Sequence, residues 1–119
     1  MDLNCKLFAE KFVVKRWQER FCFELKKKPG KLRERVCRNY EEIFAKQALH
    51  DSPKNGIPKS GLVYVIDWGD AFTEMTWANF LRNYTRSGAG FLAISFDGTF
   101  GFLETHCSHP KYSKEWYIY

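Results

Sequence analysis

Phe91-Leu92-Ala93-Ile94-Ser95-Phe96-Asp97-Gly98-Thr99-Phe100-Gly101-Phe102-Leu103-Glu104 reads as two strands joined by a tight turn. An Asp-Gly pair between two apolar runs favours a two-residue type I′ turn, in which both central positions need positive φ. The register that follows sets Phe96 opposite Thr99, Ala93 opposite Phe102 and Leu92 opposite Leu103. Leu92, Ile94 and Leu103 then share one face, while Phe91, Ala93, Phe100 and Phe102 share the other. Both faces are apolar, so the hairpin belongs in the middle of a sheet covered on at least one side by helices.

Upstream, Leu62-Val63-Tyr64-Val65-Ile66-Asp67-Trp68 is a strand rich in β-branched and aromatic residues, followed by a turn at Trp68-Gly69-Asp70. Thr73 is then the expected N-cap of a helix, with Glu74 at the favourable end of its dipole. Trp77, Phe80, Leu81 and Tyr84 supply that helix's apolar stripe, and Ser87-Gly88 stops it. Downstream, a loop through His106 and Pro110 leads to a last strand at Trp116-Tyr117-Ile118-Tyr119.

The first half is helical. Leu7, Phe8, Val14, Trp17, Phe21 and Leu25 recur at helical spacing, which predicts one helix from Leu3 to Leu25, ended by Lys26-Lys27-Lys28 and Pro29-Gly30. A second helix is expected from about Lys31 to Leu49, with Leu32, Val36, Tyr40, Ile43 and Phe44 inward, packed antiparallel on the first. Asp51 to Ser60, with Pro53, Asn55-Gly56 and Pro58, reads as an exposed linker. The expectation is therefore one α+β domain over residues 1–119, with a helical half (1–50), a linker (51–60) and a sheet-rich half (61–119). An N-terminal helical hairpin and a third helix pack on a mainly antiparallel sheet of about four strands. Its core is built from Tyr64, Ile66, Phe91, Ile94, Phe100 and Phe102 on the strands. Trp17, Phe21, Tyr40, Phe44, Trp77 and Phe80 face them from the helices.

A hydrophobic content of 45% with 18% aromatics excludes general disorder. No apolar run reaches the roughly 20 residues that span a bilayer, so no membrane partner is expected. Met1-Asp2-Leu3-Asn4-Cys5-Lys6 lacks the segments of a signal peptide, and a cytosolic location follows as the expectation. Cys5, Cys22, Cys37 and Cys107 form no CxxC pair and read as reduced structural thiols. The net charge of +5 is uneven: residues 1–49 hold 13 Lys/Arg against 7 Asp/Glu, and residues 50–119 hold 6 against 7.

The basic run Lys26, Lys27, Lys28, Lys31, Arg33, Arg35 and Arg38 is the strongest electrostatic feature. It reads either as a patch for an anionic partner, nucleic acid included, or as a solvated helix junction. Asp67, Asp70 and Glu74 gather near a strand end, as paired carboxylates for acid–base or metal chemistry, as local turn and cap residues, or as a face for a basic partner. His106, Cys107 and His109 fall within four residues, but no second ligand cluster completes a metal site. No nucleotide-binding glycine loop and no nucleophile motif is present. Neither catalytic residues, a metal nor a cofactor is expected.

Trp17, Arg20, Leu25, Pro29, Leu32 and Tyr40, then Val63-Tyr64-Val65-Ile66, Gly88, Ser95, Gly98, Phe100, Glu104 and Tyr117-Ile118 together carry a resemblance. The layout is similar to small bacterial toxin-immunity proteins of the contact-dependent inhibition type and to uncharacterised accessory proteins. That resemblance implies a cytosolic, non-enzymatic binder of a protein partner such as a cognate toxin. A nucleic-acid-binding module using the Lys26–Arg38 patch is the alternative.

Overall fold

The computed structural model describes residues 4–67, 73–84, 90–105 and 114–119. Phe91–Ser95 (β4) and Gly101–Glu104 (β5) pair in the expected register, Ala93 against Phe102 and Leu92 against Leu103. The turn between them is not the two-residue type I′ form. Gly98 has a φ of 76°, and no other residue of the turn has a positive φ. The Gly98 N–H donates to the Ser95 carbonyl and the Ser95 N–H to the Phe100 carbonyl, each at 2.9 Å, so the loop runs from Phe96 to Thr99. The Asp97 carboxylate accepts from the Ser95 and Thr99 hydroxyls, each at 2.7 Å, and from the Thr99 N–H at 3.0 Å. An Asp side chain that binds its own backbone two residues on stabilises such a turn. The loop widens by one residue on each side, which leaves the register unchanged.

The hairpin lies in the middle of a six-stranded antiparallel sheet. Leu49–His50 (β1), Leu62–Ile66 (β2), Thr73–Thr76 (β3) and Glu115–Ile118 (β6) complete it, in the order β1-β6-β5-β4-β2-β3. The expectation of about four strands misses both edges. β1 has only two residues, and β3 is a polar edge strand with three exposed side chains, so neither carries a strong pattern. Thr73 pairs with Val65 instead of capping a helix. The helix starts one turn later, at Trp77–Asn83 (α4), where the Thr76 hydroxyl accepts from the Asn79 N–H at 3.1 Å.

The long N-terminal helix is broken in two, Cys5–Phe12 (α1) and Lys15–Lys27 (α2), at Val13-Val14. Two adjacent β-branched residues tolerate extended backbone better than helix. Val13 forms an isolated bridge with Phe44, the Val14 N–H donates to the Ile43 carbonyl at 2.9 Å, and the Ala45 N–H donates to the Phe12 carbonyl at 2.8 Å. These bonds replace the helical ones lost at the break. Lys28 ends α2 and also opens Pro29–Ile43 (α3), so Pro29 begins a helix where it was expected to end one. Its fixed φ and missing N–H suit the first helical position. α3 stops at Ile43, and Lys46–Ala48 forms a 3-10 turn before β1, short of the expected end at Leu49.

The chain is α+β with four helices, one more than expected, among the described residues. Tyr64, Ile66, Leu92, Ile94, Leu103 and Ile118 pack under α1, α2 and α3, against residues such as Phe8, Phe21 and Phe44. On the opposite face Val63, Val65, Phe91, Ala93, Phe100 and Phe102 pack under Trp77 and Phe80 of α4. Each face of the hairpin thus holds the residues its alternation assigns to it. Of the expected core, Trp17 and Tyr40 are only half-buried.

Candidate functional site

Helix α2 turns Phe21, Glu24 and Leu25 inward. Phe23, two residues from Phe21 and therefore about 200° around the helix, faces solvent. It is 57% exposed, the one large hydrophobic side chain left so open among the described residues. Its neighbours one turn away are Glu19, Arg20, Lys26 and Lys27, all exposed. Lys28 and Lys31 extend the positive charge across the junction into α3. Sequence reading missed Phe23, although its place off the Trp17-Phe21-Leu25 stripe was the available signal.

A buried carboxylate stiffens this face from beneath. Glu24, 4% exposed, accepts from Arg35 through both carboxylate oxygens, Nε to Oε1 and Nη2 to Oε2, each at 3.2 Å. Arg20 Nε adds a third bond, at 3.3 Å to Oε2. The two guanidinium groups also stand 5.2 and 5.4 Å from the Trp17 ring, within cation–π range. Two-point Arg–carboxylate pairing fixes both side chains, so α2 and α3 are locked at a set angle.

The expected basic run is therefore divided by its chemistry. Lys26, Lys27, Lys28 and Lys31 are exposed. Arg33 and Arg35 are half-buried; Arg33 Nη1 donates to the Gly90 carbonyl at 3.2 Å, and Arg35 holds Glu24. Arg38 is exposed and stands 3.9 Å from Glu34, one turn away on α3. The Gly90 N–H in turn donates to the carboxylate of Glu104, which is fully buried, at 3.2 Å. Arg33 and Glu104 thereby hold both backbone polar groups of Gly90 and fasten α3 to the start of β4.

Of the acidic trio, Asp67 and Glu74 are described, and they lie on opposite faces of the sheet. Glu74 lies opposite Tyr64 on the sheet face toward α1–α3, whereas alternation along β2 carries Asp67, after Val63 and Val65, to the other face. Asp70 lies outside the described residues, as do His106, Cys107 and His109. No group of three or more His, Cys, Asp or Glu side chains suited to a metal occurs among the described residues. No described helix is long and apolar enough to cross a membrane.

Away from α2, an open cleft of about 460 Å³ is lined by Tyr40, Glu41, Lys46, Leu49 and Trp116. Its Tyr40 and Trp116 rings stand 5.6 Å apart, and Lys114 Nζ lies 4.1 Å from the Trp116 ring centre. Compared with protein-family models, curated proteins and solved structures, the chain matches none of them.

Proposed function

We propose that the chain is a non-enzymatic binding protein that docks an acidic protein partner, such as a cognate toxin, on the outer face of α2. The observation that carries this reading is Phe23, 57% exposed and ringed by Arg20, Lys26 and Lys27. Aromatic residues, Phe among them, and arginine are enriched at protein interfaces relative to the rest of the surface. The lysines add long-range attraction for an acidic partner and speed its arrival. The Glu24–Arg35 fork keeps the face in one shape, which lowers the ordering cost of docking.

Nucleic acid is the weaker reading. Binding of single strands uses several aromatic platforms along a basic groove, and α2 offers one ring interrupted by Glu19. The test is size-exclusion chromatography of the purified chain mixed with the purified product of the adjacent gene. A shared early-eluting peak is expected; separate peaks contradict the proposal. A parallel salt titration with RNA and DNA distinguishes the alternative, because phosphate-driven binding is strong at low salt and falls steeply as salt rises.

A further inference from the structure

Two sulfur atoms meet between the first two helices. Cys5 Sγ, at the start of α1, lies 2.7 Å from Cys22 Sγ in the middle of α2, and Cys5 is buried while Cys22 is half-buried. A disulfide bond is about 2.05 Å long, so the sulfurs need to approach by only about 0.7 Å. We infer that Cys5 and Cys22 form a two-electron oxidation site that a small-molecule disulfide converts to a covalent clasp between α1 and α2.

Access orders the steps. Cys22, the more open sulfur, gives up its proton to solvent and attacks one sulfur of the oxidant, releasing one equivalent of thiol and forming a mixed disulfide. Cys5 then loses its proton and attacks the Cys22 sulfur, and the second equivalent of thiol leaves. Two protein thiols and one small disulfide thus become one protein disulfide and two small thiols. Burial, followed by the hydrogen bond to Cys22, raises the pKa of Cys5, and Lys26 partly offsets this. That ordering suits Cys5 to the second, intramolecular step, where the target sulfur is already in contact. Cys37 stands apart: its buried thiol contacts the Phe91 carbonyl at 3.6 Å.

The clasp closes a loop of 17 residues' separation and adds a covalent link to a helix held at its start by the Asn4 N–H, which donates to the Phe96 carbonyl of the β4–β5 loop at 3.0 Å, and at its end by the Ala45 N–H, which donates to the Phe12 carbonyl at 2.8 Å. Cross-linking a loop of this length restricts the unfolded chain, so the oxidised protein gains about 10 °C in Tm.

The test incubates the folded protein with oxidised glutathione, blocks remaining thiols under denaturing conditions, and maps the linked peptides by mass spectrometry. The expected result is a fall from four free thiols to two, a Cys5–Cys22 linked peptide, and a higher Tm that dithiothreitol reverses. Cys22→Ser removes both the link and the Tm gain. If that variant fails to fold, the peptide map of the unaltered chain decides alone. Four thiols remaining, a link through another cysteine, or glutathione held on Cys22 with Cys5 still free would each overturn the inference.

Discussion

Arg35 and Glu24 meet through two parallel hydrogen bonds of 3.2 Å, eleven residues apart, across the junction of α2 and α3. The carboxylate is almost fully buried, so these side chains take the place of water as its hydrogen-bond partners. Arg35→Leu keeps much of the apolar stem but leaves Glu24 with Arg20 alone, at a cost of roughly 2–3 kcal/mol. Urea denaturation should show a lower midpoint with an unchanged slope. Adding Glu24→Leu removes the stranded charge, so the double variant should be more stable than the single one. A double variant less stable than Arg35→Leu would show that Glu24 stabilises the fold without Arg35, through Arg20.

Gly98 is where the β4–β5 turn touches the start of α1. A Cβ there would lie 2.9 Å from the Asn4 carbonyl oxygen and 3.2 Å from the Phe8 nitrogen, on a backbone with φ of 76°. Gly98→Ala combines conformational strain with a backbone clash and should cost about 2 kcal/mol. Gly56 has a similar φ of 81° but open space around it. Gly56→Ala should therefore cost about half as much in the same thermal melts. Equal losses would mean that the α1 contact contributes nothing.

Asp97 gives the turn a pH dependence of defined sign. Burial pushes its carboxyl pKa up, but the hydrogen bonds from Thr99 and Ser95 outweigh that and hold it below the ordinary value. A carboxyl with a lowered folded pKa stabilises the fold fully above its unfolded pKa of about 3.9. The contribution fades as pH falls through the folded value. The Tm gap between the natural chain and Asp97→Ala should hold steady from about pH 5 to pH 8 and narrow below pH 4. A gap that widens on acidification would contradict this sign.

Much of the fold was legible where pattern and packing agree. Residues 91–104 alternate so regularly that register and both faces could be read, even though the turn type was wrong. Phe96 and Thr99 belong to the loop because the Asp97 carboxylate, through Ser95 and Thr99, organises four residues instead of two. Val13-Val14 hid a helix break, because Leu7, Val14 and Trp17 keep helical spacing across it while the bridge to Phe44 comes from distant sequence. β3 was unreadable for a similar reason: Thr73–Thr76 has little apolar content and is a strand only because β2 offers it an edge. At the candidate site, the exposed lysines were visible as a charge run. Which arginines were committed elsewhere was not, since Arg33 and Arg35 find their partners through tertiary packing.

On the proposed function, Phe23 and its basic surround form the docking face. Phe23→Ala removes no core contact and should change stability by less than about 0.5 kcal/mol. The decisive measurement is the affinity of this variant and the natural chain for the purified product of the adjacent gene, by titration calorimetry. A loss of 10-fold or more is expected for Phe23→Ala, about 1.4 kcal/mol or above, with the Tm unmoved. Equal affinity of the two proteins would contradict it.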